Sequence, residues 1–301
     1  MIALRGILAP VVTPFDERGD VDLDGFASNV RAHLGAGACG IVVTGSTGEA
    51  ALLDDAERNA LASRARDQVP DDCTLLVGTG AESTRATIAR TRAAAERGAD
   101  GVLVVAPHYY GEAMTPDALL AHYRAVADAS PVPVLLYTIP KYMHFAVSPD
   151  VVAQLALHDN IIGMKDSSGD ASLLAQYLQS QGDTFHVLTG SGVLFGEALR
   201  MGAYGGILAV SLFAPERSFE VWRAWQGGDE AAAKRAQTLL TPLAATIVGG
   251  MGVAGVKAAM DHVGLTGGAP RPPLQPLDPI RHATLLGLMR NREAGHLVSA
   301  V

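Results

Sequence analysis

Lys165 stands at the end of a short apolar run, residues 161–164, and a polar, glycine-containing loop follows at residues 167–170. This pattern predicts a buried strand that delivers an amine to the mouth of a barrel. Burial disfavours the charged form of lysine, and a neutral amine can attack a ketone to form a Schiff base. Lys165 therefore predicts an enzyme that acts on a 2-oxo acid, although it could instead form a salt bridge with Asp166 or Glu49.

A second group that could do chemistry is the segment GSTGE at residues 45–49, which also follows an apolar run. The hydroxyls of Ser46 and Thr47, with the backbone N–H groups around Gly45, offer several donors to a carboxylate in a tight loop. The alternative is a turn in which Ser46 or Thr47 caps the helix that follows. The lysine and the spacing of a P-loop are not found here.

Two tyrosines, Tyr137 and Tyr109, lie at predicted strand ends. A phenol beside a Schiff base can shuttle the proton that carbinolamine formation and C–C cleavage require. A single tyrosine is more commonly a core residue with a satisfied hydroxyl, but a place at the mouth of a barrel favours a catalytic role.

Gly190 and Ser191 follow the predicted seventh strand, in a region that holds phosphate in many barrels. We interpret the glycine as leaving room for a substrate tail, with phosphate as the weaker alternative. His108 and His144 lie near the predicted mouth, but no partner carboxylate or second ligand has the spacing of a metal site. We expect neither a metal nor an organic cofactor, since a protonated imine itself accepts the electrons.

The elements that must position these residues are short apolar runs that alternate with helical stretches. Near-continuous apolar runs are typical of parallel strands that are buried on both faces. Eight such runs occur, at residues 7–12, 40–44, 74–78, 101–105, 132–137, 161–165, 186–189 and 206–210. Helical patterns between them occur at residues 55–69, 83–97, 116–129, 149–157 and 172–180.

This order predicts an α/β fold, a (β/α)8 TIM barrel. A doubly wound sheet is the alternative, but the segment TPF at residues 13–15 is not the glycine loop that such a sheet places after its first strand. Two helices begin with proline at the first helical position, Pro116 and Pro149, which is a favoured start.

The chain continues past the eighth strand. Further helices are predicted at residues 215–226, 230–248, 253–262 and 280–292, with a Gly-rich hinge at 249–252 and a Pro-rich stretch at 270–279. We predict that residues 1–225 form the barrel with the active site. Residues 226–301 are predicted to form a small C-terminal helical appendage that packs on the barrel, where subunits could meet.

The net charge is −8, from 23 basic and 31 acidic residues spread along the chain, which argues against nucleic acid or an anionic membrane surface as partners. We predict no membrane span and no signal peptide, since no apolar run is long enough and residues 1–6 lack the signal layout. Cys39 and Cys73 lack a metal-type spacing and are expected to be buried free thiols. A reducing cytoplasm fits these features best.

These residues, in this order, resemble the dihydrodipicolinate synthase / N-acetylneuraminate lyase family of class I pyruvate-dependent aldolases. The segments that match the family's motifs are GSTGE at residues 45–49, Pro107 with Tyr109, LYTIP at 136–140 and GMKD at 163–166. The resemblance covers most of the chain, from residue 4 to residue 208. Each motif alone is weak, but together they are highly specific for the family.

The resemblance implies how the candidate residues would move protons. Lys165 would form the Schiff base with the keto carbon, and Tyr137 would be the proton shuttle near the imine. Ser46 and Tyr109 would relay protons to solvent, with Tyr109 reaching into the site of a neighbouring subunit.

The resemblance also implies how the substrate would be held. Thr47 and Ser46 would bind the substrate carboxylate, and the backbone at Ile207 would line the pyruvate pocket. The partners implied are pyruvate, or another small 2-oxo acid, and an aldehyde. Family members are commonly homotetramers built from tight dimers, and we expect the same here.

One departure from the family pattern bears on the substrate. The lysine-pathway synthases carry an arginine two residues beyond the proline of the strand-five motif, where this chain has Tyr142. Tyrosine lacks the bidentate cationic fork that binds the second substrate's carboxylate, and the adjacent Lys141 need not point the same way. The usual glycine two places further on is His144. We therefore predict that this chain is not the lysine-biosynthetic synthase.

Other details favour related aldolases. Ser46 stands where the synthases usually have threonine, as in the sialic acid lyases, but the acidic pair of those lyases is replaced by GV at residues 192–193. Segments 189–191, 202–209 and 164–167 look more like the 4-hydroxy-2-oxoglutarate and 2-keto-3-deoxy acid aldolases. We expect a lyase that cleaves or forms a C–C bond, with pyruvate as one partner. Dihydrodipicolinate synthesis, dehydration of a 2-keto-3-deoxy acid and non-catalytic binding of a 2-oxo acid are the alternatives.

Overall fold

Eight parallel strands close into a barrel, in which each strand pairs with the next along the chain and the last pairs with the first. The computed structural model describes residue 2 and residues 4–297, and it confirms the predicted (β/α)8 architecture. The strands β1 to β8 are, in order, Gly6–Pro10, Gly40–Val43, Thr74–Gly78, Gly101–Val105, Val134–Thr138, Ile161–Asp166, His186–Thr189 and Gly205–Ile207.

The strands are buried almost along their whole length. Every residue of β1, β2, β3, β5 and β8 is buried. Helices cover the outside of the barrel and side chains fill its interior, so both faces of a strand must be apolar. For this reason the sequence shows continuous apolar runs rather than an alternation of polar and apolar residues. The carboxyl ends of all eight strands meet at one mouth.

Helices follow the strands and form the outer layer. Helices α1 to α12 are, in order, Leu23–Gly35, Asp55–Arg66, Thr84–Glu96, Pro116–Ala129, Pro140–Met143, Pro149–Leu155, Ala171–Leu178, Phe195–Arg200, Pro215–Gln226, Glu230–Leu243, Gly252–His262 and Pro279–Leu297. The two predicted proline starts are confirmed, since Thr115 and Ser148 each cap a helix whose first residue is proline. Asp54 and Glu57 form a capping box at α2, in which each side chain accepts a backbone N–H of the other residue.

Five strands differ from their predicted bounds by one to three residues, and in two of them the cause is visible. The predicted strand 132–137 begins only at Val134, because Pro133 has no N–H to offer a neighbouring strand. The predicted strand 206–210 ends at Ile207, and the 3-10 helix Ala209–Leu212 follows. All four residues of that helix are buried, so their apolar sequence does not distinguish a buried turn from a strand.

The C-terminal region contains two helices that are joined by a π-helical segment. Helix α10 passes into a π-helical segment, Ala244–Met251, which leads directly into α11. The predicted hinge at residues 249–252 is confirmed in part: Gly249 and Gly250 lie inside the π-helical segment, but Gly252, at φ 65° and ψ −147°, departs from helical backbone geometry. Of these residues only Gly252 has a positive φ, 65°, a backbone conformation that glycine adopts at little cost.

This stretch, Glu230–His262, is long and apolar enough to cross a membrane by length and composition, which the sequence analysis did not predict. In the structure α10 packs against α8 and α9, and α11 packs against α12. Long helices that pack against the body of a protein can have the same length and composition, so these two properties alone do not indicate a membrane span. The predicted boundary at residue 225 falls at the end of α9, and residues 298–301 of the predicted appendage lie outside the described residues.

Cys39 and Cys73 are free thiols, as predicted, but each is half-buried rather than buried. Burial raises the pKa of the Cys39 thiol to about 12 and also raises the pKa of the Cys73 thiol. Because the thiolate is the reactive form of cysteine, both residues are less nucleophilic at neutral pH than a solvent-exposed thiol.

Candidate active site

Lys165 lies on β6 at the mouth of the barrel, with 6% of its surface exposed. Burial lowers the pKa of its amine to about 7, because water that would solvate the ammonium is excluded. Both carboxylates proposed as salt-bridge partners are engaged elsewhere: Asp166 accepts hydrogen bonds from Ser168, and Glu49 is paired with Lys257. The salt-bridge alternative is therefore wrong, and the amine has the nucleophilic, uncharged form available near neutral pH.

Tyr137 faces Lys165 from the neighbouring strand β5, where the two residues are register partners. The Lys165 Nζ lies 4.5 Å from the centre of the Tyr137 ring, and the Tyr137 hydroxyl lies 3.4 Å from Ser46 Oγ. Burial raises the pKa of Tyr137, and hydrogen bonds from Ser46 and Ser167 partly offset that rise. The phenol is held protonated beside the amine and in contact with a second hydroxyl, an arrangement that can pass a proton.

Residues 45–49 form a tight loop after β2. The N–H of Gly48 donates to the Gly45 carbonyl at 3.0 Å, and Thr13 Oγ1 donates to the Gly48 carbonyl at 2.7 Å. A Cβ at Gly48 would lie 3.0 Å from the carbonyl oxygen of Val11, so the loop passes close to the chain after β1. The fold therefore fixes the backbone of this loop tightly.

The hydroxyls of this loop do not serve a helix. The 3-10 helix Ala50–Leu52 that follows it has no side-chain cap, and the cap of α2 is Asp54. The capping alternative for Ser46 and Thr47 is therefore wrong. Both residues instead line a cavity at the barrel mouth.

The same loop is anchored by the C-terminal appendage. Lys257, on α11, donates to the Glu49 carboxylate at 2.6 Å and to the carbonyls of Thr13 and Ala269, both at 2.9 Å. Neither side chain of this ion pair is exposed. The other Glu49 carboxylate oxygen accepts the N–H of Arg271 at 2.8 Å. All three ammonium donors are thus used, and Glu49 is held at a positive φ of 57°.

A cavity of about 190 Å³ opens at the mouth of the barrel beside these residues. Seven of the residues predicted for the site line it: Ser46, Thr47, Tyr137, Lys165, Gly190, Ser191 and Ile207. A further part of the wall comes from Lys141 and Tyr142 on α5 and from Ala244, Ala245 and Val248 in the π-helical segment. Sequence reasoning missed the wall supplied by the π-helical segment, because these residues follow no strand.

Gly190 approaches Lys165 so closely that a side chain does not fit between them. A Cβ at Gly190 would lie 2.8 Å from Lys165 Cε and would overlap the hydroxyl of Ser167. Ser167, which sequence reasoning did not single out as a site residue, also lines the cavity. Its place two residues after the lysine, on the same loop, is the signal that could have identified it.

Gly45 and Tyr109 are the predicted site residues that do not line this cavity. Gly45 lines a second cavity of about 1120 Å³, which shares Ser46, Tyr137 and Tyr142 with the first. The Tyr109 side chain is 77% exposed and lines neither of these two cavities. Within one chain, the structure therefore does not bring Tyr109 to the amine.

The loop that carries Tyr109 is held by Glu82, which sequence reasoning missed. One Glu82 carboxylate oxygen accepts the backbone N–H groups of His108 and Tyr109, both at 2.9 Å. The other carboxylate oxygen lies 3.3 Å from His108 Nδ1. The rings of Tyr109 and Tyr110 meet edge to face, with centres 5.0 Å apart. The loop thus presents an exposed aromatic pair on a backbone that a carboxylate fixes.

The cavity's chemistry is that of an amine and several hydroxyls. Among the residues whose side chains the structure describes, no group of three or more His, Cys, Asp or Glu is placed to hold a metal ion. His108 contacts Glu82, and His144 ends α5 at a positive φ of 63°. An uncharged lysine, a buried phenol and a donor-rich loop are together the groups needed to form an imine with an oxo acid.

Comparison with known protein families gives a match over nearly the full chain. The sequence model described as the dihydrodipicolinate synthetase family matches residues 3–289. A 4-hydroxy-tetrahydrodipicolinate synthase of an Exiguobacterium species is 33% identical over 284 residues, which cover 94% of this chain and 96% of that protein. An uncharacterized DapA-like lyase of Halobacterium salinarum is 37% identical over 285 residues, 94% of this chain and 92% of that protein.

Solved structures of similar proteins share the fold. Dihydrodipicolinate synthase DapA-2 of Bacillus anthracis superposes with a TM-score of 0.92 at 31% identity, covering 96% of this chain and 99% of that chain. YagE, a prophage protein of E. coli K12 solved in complex with pyruvate, superposes with a TM-score of 0.91 at 31% identity, with the same coverage.

Proposed function

This chain belongs to the dihydrodipicolinate synthetase family, and we propose that Lys165 is the residue through which it acts on pyruvate. Members of this family are class I lyases that form a lysine Schiff base with pyruvate, so this chain is a lyase of that class. One observation carries the assignment to Lys165: its buried amine, with a pKa lowered to about 7, meets Tyr137 and the cavity at the barrel mouth.

The imine forms in two steps. The substrate carboxylate binds at the loop of residues 45–49, through Ser46, Thr47 and the backbone N–H groups around them. The neutral Lys165 amine attacks the keto carbon, and the keto oxygen takes up a proton through Tyr137. The Tyr137 phenol then gives its own proton to the resulting hydroxyl, which leaves as water, and a protonated imine remains beside the Tyr137 phenolate.

Cleavage uses the imine as the electron acceptor. For a 4-hydroxy-2-oxo acid, the Tyr137 phenolate removes the proton of the 4-hydroxyl and the C3–C4 bond breaks. The aldehyde leaves, and the bond's electron pair passes into the imine to give an enamine. Protonation at C3 and hydrolysis of the imine by water then release pyruvate and restore Lys165. Each step runs in reverse for condensation.

We propose a 4-hydroxy-2-oxo acid or a 2-keto-3-deoxy acid as the physiological substrate. YagE, which was solved in complex with pyruvate, supports pyruvate as one partner. Dehydration of a 2-keto-3-deoxy acid would share the same imine and lose water in place of an aldehyde. Non-catalytic binding of a 2-oxo acid is disfavoured, because the amine, the phenol and the hydroxyl loop meet in one cavity.

Synthesis of 4-hydroxy-tetrahydrodipicolinate is the second candidate, because several relatives carry that name at 31–34% identity. Tyr142, which stands where those synthases carry an arginine, lines the cavity of this chain. It lacks a guanidinium for the carboxylate of aspartate semialdehyde. We therefore expect no efficient condensation of pyruvate with aspartate semialdehyde in a coupled assay, and robust turnover would contradict this view.

Borohydride reduction in the presence of pyruvate, followed by peptide mass mapping, tests the central proposal. We expect a reduced pyruvyl adduct on Lys165. Lys165→Arg is the matched variant, because arginine keeps a cation but does not form an imine, and it should give no adduct. An adduct on another lysine, or none on a folded protein, would remove Lys165 as the nucleophile.

The proposed assembly is a homotetramer of tight dimers in the cytoplasm. The exposed aromatic pair of Tyr109 and Tyr110 supports it, because these rings lie 77% and 69% exposed on an ordered loop. Large exposed aromatic groups on a fixed loop are typical of an interface.

A further inference from the structure

We infer that the cavity receives the aldehyde partner on an apolar wall, so that the preferred aldehyde ends in a short hydrocarbon chain. The apolar wall consists of Val193, after β7, of Ala244, Ala245 and Val248 in the π-helical segment, and of Val253 on α11. This inference rests on the proposed function, since the wall lines the same cavity as Lys165. Of the two substrate types proposed above, it favours a 4-hydroxy-2-oxo acid with a hydrocarbon substituent at C4.

Most polar side chains of the cavity lie at or just after strand ends, close to where the proposed mechanism places the oxo acid. They are Ser46, Thr47, Tyr137, Lys165 and Ser167. No described residue that lines the cavity is an aspartate, glutamate, asparagine, glutamine, arginine or histidine, each of which could bind two hydroxyls at once. A polyhydroxylated aldehyde would therefore leave several hydroxyls without partners, and each costs free energy when it is buried unpaired.

Three other polar side chains line the cavity, and none of them requires a polar ligand. Ser191 Oγ accepts the N–H of Leu194 at 3.3 Å. The Lys141 ammonium donates to the Gly249 carbonyl at 2.7 Å. Lys141 and Tyr142 are both exposed residues, so they lie at the rim of the cavity, where water can reach their remaining polar groups.

The apolar wall is fixed before a ligand arrives. Gln237, on α10, donates to the carbonyls of Gly192 and Val193 at 2.9 Å and 3.0 Å, and it accepts the N–H of Gly196 at 2.8 Å. A Cβ at Gly192 would lie 2.9 Å from the Cβ of Ala244, so the loop after β7 packs directly on the π-helical segment. A hydrocarbon chain can therefore bury its methylenes against a preformed surface, which limits the entropy that is lost on binding.

A series of aldehydes, condensed with pyruvate by the full-length protein, tests the apolar wall. From acetaldehyde through propanal to butanal, kcat/KM should rise about fourfold per methylene, as expected for the burial of each CH₂ group. Glyceraldehyde matches propanal in carbon number, and succinate semialdehyde matches butanal. We expect the hydrocarbon member of each pair to be favoured by about tenfold or more. A flat or falling series, or a preference for either polar member, overturns the inference.

Val248→Thr tests the wall at constant side-chain shape, because it exchanges a methyl group for a hydroxyl. We expect kcat/KM for butanal to fall about fivefold, as for a hydroxyl left unpaired against a hydrocarbon, and kcat/KM for glyceraldehyde not to fall. Val263→Thr is the matched control, since Val263 is also half-buried but lines neither of the two cavities, and it should leave both values unchanged. An equal loss for both aldehydes in Val248→Thr would mean that Val248 only supports the fold, and it overturns the inference.

Failure of the apolar-wall inference and failure of the proposed function are distinguishable. Borohydride trapping of pyruvate on Lys165 is measured in every variant. If pyruvate is trapped but no hydrocarbon aldehyde is turned over, the apolar-wall inference is wrong and the imine proposal stands. If pyruvate is not trapped in the unchanged protein, the proposed function is wrong and the inference falls with it.

Discussion

Lys165 combines two properties that rarely occur together in a lysine: it is buried, and among the described residues no carboxylate lies within ion-pair distance of its amine. A buried ammonium without a counterion is costly, so the amine loses its proton at a lower pH than an exposed lysine does. The centre of the Tyr137 ring lies 4.5 Å from the amine nitrogen, and this neighbouring side chain carries no negative charge that would stabilise the ammonium.

This lowered pKa sets the pH dependence of imine formation. The neutral amine is the nucleophile, so its fraction rises about tenfold per pH unit below the pKa and levels off above it. With a pKa of about 7, the rate of trapping by pyruvate and borohydride should rise from pH 5.5 to 7 and be nearly constant above pH 8. A rate that still rises tenfold per unit between pH 8 and 10 would show that the amine titrates as an exposed lysine.

Gly190→Ala should slow imine formation strongly without unfolding the barrel. The new methyl group would lie 2.8 Å from Lys165 Cε and overlap Ser167, so the lysine side chain must leave its position. We expect the borohydride trapping rate to fall by at least tenfold, since small displacements of a nucleophile cost rate steeply. Gly182→Ala is the control, because a Cβ there meets nothing within 4 Å, and equal trapping in both variants would contradict the steric argument.

Sequence alone predicted most of the residues at the ends of strands, because a barrel places strand ends at one mouth. Lys165, Tyr137 and Ser46 could be identified in this way. Lys257 could not, because a lysine inside a helix is usually a solvated residue. Its role depends on its burial and on a partner 208 residues away. The residues around Lys257 in the sequence indicate neither the burial nor the partner.

At the scale of elements, the loop of residues 45–49 is held by side chains from both ends of the chain. Thr13, after β1, holds Gly48, and Lys257 on α11 holds Glu49. A loop that binds a carboxylate through backbone N–H groups must keep those groups aligned before the ligand arrives. We interpret the buried ion pair as the device that keeps this loop aligned.

Glu49→Gln tests this positioning role. The amide keeps the shape of the carboxylate but leaves the Lys257 charge buried without a counter-charge, which should cost about 3 kcal/mol in the free energy of unfolding. We also expect the pyruvate concentration that half-saturates borohydride trapping to rise, while the maximal trapping rate changes less. Both values come from a pyruvate titration at fixed pH.

Leu285→Ala is the control for stability alone. Leu285 is fully buried on α12, and its truncation should cost a similar free energy, roughly 2–5 kcal/mol. The control should leave half-saturation by pyruvate unchanged. If Glu49→Gln also leaves it unchanged, the ion pair is structural only.

The elements that were predicted least well from the sequence are those whose residue pattern is compatible with two kinds of secondary structure. Residues 209–212 form a buried 3-10 helix but have the apolar sequence of a strand end. Residues 249–250 are glycines, which favour a break, yet the π-helical segment continues through them. In both places the contacts of the barrel mouth decide the backbone, and these contacts join residues that are distant in the chain.

At the scale of the whole molecule, a single chain does not assemble every residue proposed for the site. Tyr109 is 77% exposed and lines neither of the two cavities, although Glu82 fixes its backbone. If Tyr109 serves the site of a neighbouring subunit, a fixed loop and an exposed ring are the expected arrangement.

Mixed oligomers test this arrangement. Lys165→Ala and Tyr109→Phe should each have low activity alone. In a mixed dimer, one site has an intact Lys165 and receives Tyr109 from the other chain. Because a two-fold dimer has two equivalent sites, refolding equal amounts together should restore activity up to about a quarter of the unchanged protein.

The control compares the same mixture of the two variants before and after refolding. Mixing the two folded variants without dissociation is the control and should restore nothing. Activity that does not recover in verified mixed dimers would show that Tyr109 acts within its own chain or does not act at all.

The pairing of Glu49 with Lys257 and Arg271 also sets an order in time during synthesis. The partners lie 208 and 222 residues further along the chain, so a ribosome adding about 5–20 residues per second needs roughly 10–45 s to reach them. Until then the carboxylate-binding loop has been translated but lacks the partners that fix it. A nascent or prematurely terminated chain would therefore carry the reactive lysine without a finished site, and catalysis would begin only when nearly the whole chain has left the ribosome.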